Sequence, residues 1–570
     1  MKKWISGILA VLLAVALLAA CDGSPDTGAP TLEPISPREA APETAPTANP
    51  ADEAFWALDL ELFLWAEARG AALGEWGERA HARFMGECKM WPDRLSALDR
   101  DRLSPALQFA YDVYAQYFTQ ELAFESLLLY AEPLDLSDGP QKTLKETFVY
   151  FTLTQETDVE AYLTLLADVP RYLAEILTHE QARAAAGLFM TETALGQVSA
   201  DCRAEAAQDS IDTLTETFAA QLDLMELSDA LKAEYLGRQV ALAQGYAGAF
   251  QALADGLYRL AGQCREPDGQ RALGPQAIAY YAAALQRESG TNLSPYEALI
   301  LLENYRDKTY LELETRHLLN PQLFNYDSLR GFDTPQKNLD YLLDLLSEVF
   351  RPLYAHEYKV IEVPPALRQD APAVHFVASK CPVLAVNPDA EPDILMYAHE
   401  YYPGHLYQSV YQDTAAHMGK NTPLFSHVIA PAGYREGWAM NAARVVAERA
   451  DYFGADYLLG THYYDLFILL NCAIAGLQVN YFGYSYAQLG AYLADYGLEA
   501  MLDDIYDRAV DMPLYDFAFM LGYCAQQEIE AACQSVYALD PAAYYAHYLD
   551  LGPGYFNLLL PAMKDWARDI

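Results

Sequence analysis

Two histidines and two glutamates in this 570-residue chain have the types and spacing that could do chemistry. The stretch His399-Glu400-Tyr401-Tyr402-Pro403-Gly404-His405 begins like the zinc-peptidase motif HExxH but holds Pro403 where the second histidine should stand. In HExxH, two histidines one helical turn apart grip a zinc ion while the glutamate serves as general base. Four residues at ~100° each leave such side chains about 40° apart, whereas the six steps from His399 to His405 leave them about 120° apart. A regular helix therefore cannot chelate one ion with this pair. Pro403 supplies a distortion, because it lacks a backbone N–H and its ring clashes with the His399 carbonyl. Gly404 then permits backbone angles that other residues resist, so a bulge or tight turn is expected to swing His405 back toward His399.

A third ligand must come from farther along. Glu436, in Arg435-Glu436-Gly437-Trp438-Ala439, lies 31 residues past His405 at the head of a helical run through Glu448. Two histidines, a glutamate and an open fourth position describe a catalytic rather than a structural zinc site. Glu400, beside a ligand but not one itself, is placed to take a proton from water attacking a carbonyl. The same donors suit non-haem iron, but a base-like Glu400 favours hydrolysis with zinc. On the other reading His399 and His405 are ordinary histidines at a helix end and Glu436 a solvated acid.

The elements that must position these residues are helical. Leu339, Leu342, Leu343, Leu346 and Phe350 recur on one helix face after the start signal Asp333-Thr334-Pro335, and Ser294-Pro295-Tyr296-Glu297 reads as a capping box. Between prolines, Lys359–Val363, Ala373–Ala378 and Val383–Val386 are short β-branched runs expected to form a small sheet. Pro392 then starts the helical run Asp393–Tyr402 that carries His399 and Glu400. The fold expected is mainly α: a large multi-helix body with a small β-sheet before the metal-binding helix. A boundary near residue 290 would divide it into an N-terminal helical subdomain, 53–290, and a peptidase-like subdomain, 291–570.

Composition narrows the partners. A net charge of −42 excludes a nucleic-acid binder, which needs clustered Lys and Arg, and disfavours adsorption to anionic lipid. Lys2, Lys3 and the apolar run Ile8–Leu18 form a signal peptide over residues 1–20, ending at Cys21 in the manner of a lipobox. Cys21 is thus the expected lipidation site, attaching the chain to a bacterial membrane outside the cytoplasm. Residues 22–52 hold seven prolines and no aromatic side chain, so 21–52 read as a tether. Leu466–Val479 is too short to span a bilayer and reads as a buried helix. The other seven cysteines form no CxxC pair and read as buried thiols.

The motifs His399–Gln408 and Glu436–Ala439, with Val479-Asn480-Tyr481 and Gly483, resemble a family of bacterial proteins, many of them lipoproteins, filed as a domain of unknown function with HExxPGHxxQ and EGWA signatures. The resemblance spans residues 53–570 and concentrates in 355–530. It implies a gluzincin-like zinc metallopeptidase with one Zn2+ on His399, His405 and Glu436, Glu400 as base, and peptides as substrates. Gln408 and Asn441 take outer positions, although the family often has Tyr where Asn441 stands and an acid where Ala443 stands. Pro513, Phe519 and Gly522 match a C-terminal pattern loosely. Since Phe519 lacks a hydroxyl, Tyr515 or Tyr523 becomes the candidate oxyanion donor. His375, His417, His427 and His462 read as bystanders. Two further classes stay open: a lipoprotein that binds peptide or metal without cleavage, and a metal-free envelope protein. Cleavage position and oligomeric state are not encoded legibly.

Overall fold

A computed structural model describes residues 49–70, 72–321, 330–351, 358–369, 371–378, 382–417, 423–535 and 539–569. The signal peptide, Cys21, Cys381 and nearly all of the tether lie outside the described residues, as does the side chain of His417. The first helix, Pro50–Gly70, begins inside the segment read as tether. Asn49 accepts a hydrogen bond from the Ala51 N–H (3.1 Å) and Pro50 takes the first position, where a missing N–H costs nothing.

Twenty-one α-helices are present among the described residues, with one three-stranded sheet, so the protein is mainly α. The elements that matter for the site are α1 (Pro140–Val149), β1 (Lys359–Glu362), β2 (Val374–Val377), β3 (Val383–Val386), α2 (Ile394–Glu400), α3 (His405–His417), α4 (Ala432–Ala447), α5 (Ala455–Leu477) and α6 (Tyr515–Gln534). The sheet order is β1-β3-β2, with β1 parallel and β2 antiparallel to β3.

Strand alternation places the sheet between two packed layers. Leu384, Val386, Val374 and Phe376 join the core that holds Tyr397, Trp438 and Tyr548. Ala385, whose side chain leaves the opposite face, joins the core built from Leu134 to Leu260. A further core unites Phe55, Trp91 and Phe118 with Phe425 and Tyr555, so the first and last parts of the chain bury apolar surface together. The capping box forms: Ser294 N–H donates to Glu297 Oε2 at 2.8 Å, and Glu297 N–H to Ser294 Oγ at 3.4 Å. Leu339, Leu342, Leu346 and Phe350 are all buried, as their spacing requires.

Asp456–Phe482 is the one described helix long and apolar enough to cross a membrane, and 72% of that window is buried inside the protein. It is longer than the expected Leu466–Val479 because α5 begins directly after Gly454. Cys88, Cys202, Cys264, Cys472, Cys524 and Cys533 are free thiols.

Candidate metal centre

The local fold around His399 follows from three residues. Asp393 caps α2, accepting from the Leu395 N–H at 2.9 Å, and aims the helix so that His399 and Glu400 fall in its last turn. Of the two forms expected, a bulge or a tight turn, the chain takes the turn: α2 stops at Glu400, short of the expected Tyr402, and α3 starts afresh at His405. Pro403 has no N–H to continue the ladder, and Gly404 lets the backbone pass against α2. A Cβ built on Gly404 would overlap the His399 carbonyl oxygen, so no other residue fits. The turn is then held from outside: the Trp438 indole N–H donates to the Pro403 carbonyl at 2.7 Å, with both groups buried. Tyr407 N–H to Tyr401 O (3.1 Å) and Gln408 N–H to Gly404 O (3.0 Å) close the first turn of α3.

The outcome is that His399 and His405 meet edge-on, ring centroids 4.7 Å apart. Glu436, on α4, comes to the same point because α4 lies against α6 with almost no gap. A Cβ on Gly437 would fall 2.5 Å from the Gly522 carbonyl carbon and 2.9 Å from the Tyr523 nitrogen. Glu436 Oε2 lies 3.2 Å from His405 Nε2 and 3.5 Å from His399 Nε2. A tetrahedral zinc ion with ligand bonds of about 2.0–2.1 Å has ligand atoms about 3.3 Å apart. His399 Nε2 and Glu436 Oε2 are buried and, although close, lack the alignment of a hydrogen bond, which is how donors look when they converge on a shared point. His399, His405 and Glu436 therefore fit one zinc ion, and they form the one such triad among the described residues.

The electrostatics agree with a cation-ready pocket. Burial raises the Glu436 pKa, but His405 and His399 outweigh it and hold the carboxyl far below the usual range. Glu400 is different: burial pushes it up to about 7, against the lowering effects of His399 and of the Phe376 N–H, which donates to Glu400 Oε2 at 2.9 Å. Phe376 is on β2, so the small sheet serves to fix the Glu400 carboxyl.

A cavity of about 820 Å³ opens on this cluster and is lined by Glu400, His405, Glu436, His375 and Tyr515. Tyr515 reaches it from the first turn of α6, with the Arg508 guanidinium 4.4 Å above its ring. Tyr523 does not. Eight residues turn it about 80° around α6, into a core beside His462 and away from the cavity wall. Gln408 is buried one turn after His405 with its amide nitrogen unpartnered, while it is Gln412 that donates to the Tyr434 hydroxyl at 3.2 Å. Asn441 is taken up elsewhere too, accepting from Arg444 (2.8 Å) and Gln527 (2.8 Å). His462 is buried and His427 half-buried, both outside the cavity wall, but His375, set aside in the sequence, stands in it. Sequence reasoning also missed Asp135, Asp138 and Glu146, which line the cavity from more than 250 residues upstream of the motif. No local signal could have joined them to it.

Fold and site together define a helical protein with a buried two-histidine, one-glutamate candidate metal centre. The family described as "Bacterial protein of unknown function (DUF885)" matches residues 64–309, which leaves the histidine and EGWA motifs outside the matched stretch. Among solved structures, one described as a "putative lipoprotein" from Colwellia psychrerythraea superposes with a TM-score of 0.75 at 14% identity, covering 92% of this chain and 100% of that one. A "putative lipoprotein of unknown function" from Shewanella oneidensis gives a TM-score of 0.56 at 14% identity, over 90% of this chain and 98% of that one. At these identities the likeness establishes the fold. A "putative oligoendopeptidase F" from Bacillus anthracis str. Ames reaches a TM-score of 0.31 at 11% identity, over 85% of this chain and 96% of that one, too low to argue a shared fold. No curated protein matches the chain.

Proposed function

We propose that the chain is a zinc-dependent peptidase working outside the cytoplasm, anchored through a lipid on Cys21. One observation carries this reading: three buried donor atoms converge, with the Glu436 oxygen at tetrahedral-edge spacing from each imidazole, beside a second carboxylate, Glu400, that the sheet holds in place outside the triad. Bound there, zinc supplies a Lewis acid that polarises a carbonyl and lowers the pKa of water. The chain's own residues do the rest. Glu400 keeps one oxygen on the Phe376 N–H and has the other to take a proton from water in the cavity and deliver it to the departing amine. Tyr515, which lines the cavity, is the donor assigned to a developing oxyanion. The edge of β2 near His375 offers backbone groups along which an extended peptide can lie. The leader ending at Cys21 and the lipoprotein names of the two structural neighbours support the location.

Glu400→Gln tests the reading, with a mixed peptide library read by mass spectrometry and bound zinc by elemental analysis. The parent should hold one zinc ion and cut peptides, losing activity to a chelator. The variant should keep the zinc and lose at least about a hundredfold in rate. A parent that binds zinc and peptides but cuts none belongs to the non-catalytic binding class instead.

A further inference from the structure

We infer that the cavity beside the candidate metal centre recognises a positive charge on the peptide, carried by a lysine- or arginine-type side chain or by a free amino terminus. The inference rests on the peptidase reading and names its substrate class.

The cavity wall is rich in carboxylates, and most of them are already paired. Glu205 meets Lys145 at 2.7 Å, Asp201 meets Lys142 at 2.9 Å, and Glu132 meets Arg183 at 2.7 Å. Asp135, Asp138 and Glu146 have no Lys or Arg within ion-pair distance among the described residues, and all three face the same cavity as Glu400 and Glu436. Asp135 and Asp138 sit three residues apart on one turn, where Asp135 Oδ1 accepts from the Ser137 N–H at 2.6 Å.

Buried neutral groups in the same wall also lack partners, among them the Tyr281 hydroxyl, Gln141 and His375. Gln141, 2% exposed, donates from Nε2 to the Asp135 carbonyl at 2.6 Å, which fixes its amide and leaves Oε1 as an acceptor without a donor. His375, 6% exposed, stands edge-on to Tyr150 with both ring nitrogens unpartnered. Buried polar groups are nearly always hydrogen-bonded, so unmet groups gathered in one cavity mark the outline of something that binds there. Acceptors predominate among them, with three carboxylates, an amide oxygen and an imidazole nitrogen against the one unpartnered cationic donor, Arg435 Nε, which stands on the Glu436 side of the cavity. The matching ligand is a multiple donor with positive charge, an ammonium or a guanidinium. Burial pushes Asp135 and Glu146 up to about 7, in Glu146 against the lowering effect of the nearby Lys145.

The test uses the full zinc-loaded chain and matched peptides: lysine against norleucine and arginine against citrulline at each position, each with a free or an acetylated amino terminus. The charged member of at least one pair should be cut with kcat/KM about tenfold or more above its neutral partner, the gain lying in KM. If acetylation removes the gain the cation is the amino terminus, and if the side-chain swap removes it the cation is the side chain. Asp135→Asn together with Glu146→Gln should bring the ratio to within about twofold. The wild-type substrate ratio stands without the variant, should that fail to fold. Equal cleavage of all pairs overturns this inference and leaves the peptidase reading intact. If nothing is cut, calorimetric binding of the same pairs to the Glu400→Gln protein decides: preference for the charged peptide supports the cation site while the peptidase reading falls, and equal binding overturns both.

Discussion

In Gly404→Ala, a methyl group arrives where the His399 carbonyl oxygen already stands, and something must shift by well over an ångström to restore ordinary contact. The obstacle is backbone on both sides, so no side chain can swing away. The space can be made by opening the turn between α2 and α3, which carries His405 off the point where its Nε2 lies 3.2 Å from Glu436 Oε2. Zinc tolerates errors of only about 0.2 Å in its ligand distances, so losing one imidazole from the set is the expected result. Two protein ligands in place of three should weaken zinc binding by at least about a hundredfold, or roughly 2.7 kcal/mol. Folding suffers less, because the rest of the buried core is untouched; an overpacked site of this kind costs about 1–3 kcal/mol. The assay is competition for zinc against a chromophoric chelator, with far-UV circular dichroism as the check on folding. Gly237→Ala is the control, since a Cβ there meets nothing within 4 Å. Unchanged zinc affinity in a folded Gly404→Ala protein would refute the claim that this turn builds the site.

Three further outcomes follow from the same geometry. Trp438→Phe keeps an aromatic ring but strands the buried Pro403 carbonyl, so unfolding free energy should drop by about 1–3 kcal/mol in urea titration, with zinc affinity falling alongside. Removing zinc with a chelator should leave the helical circular dichroism unchanged and lower Tm, and restoring zinc at about a thousand times Kd should return roughly 4 kcal/mol of stability. His375 is held neutral by burial, its pKa lowered to about 4 against an unfolded value of 6.5. Below pH 6.5 the unfolded chain takes up a proton the folded one refuses, so stability relative to His375→Gln should fall between pH 6.5 and 4, by up to about 3 kcal/mol. Parallel stability curves for the two proteins across that range would contradict it.

Much of this site was legible in the sequence, for reasons that differ by residue. The three strands were readable because β-branched runs between prolines have few alternatives, and their observed bounds differ from the expected ones by a residue at the ends of β1 and β2. The candidate cluster was readable because His399, Glu400 and His405 are local and Glu436 begins a recognisable helix. The form of the turn was not. Pro403 alone is compatible with a kinked, continuing helix, and what ends it is the fit of Gly404 against His399 together with a donor from another helix. Tyr515 and Tyr523 could not be told apart for a similar reason. Their order around α6 is fixed by sequence, but which face meets the cavity depends on where Gly522 crosses Gly437.

The two motifs, HEYYPGH and REGWA, are therefore one device. Gly404 permits the turn, the turn exposes the Pro403 carbonyl, and Trp438 covers that carbonyl two residues after the candidate ligand Glu436 on the same helix. Each motif places its own ligand only if the other is in position, so their effects on zinc binding cannot add. Once Gly404→Ala has opened the turn, Trp438→Phe has little left to disturb, and the double variant should lose far less affinity than the sum of the two single losses. Additive losses, within about 0.5 kcal/mol, would mean that the tryptophan stabilises α4 in general and has no part in closing the site.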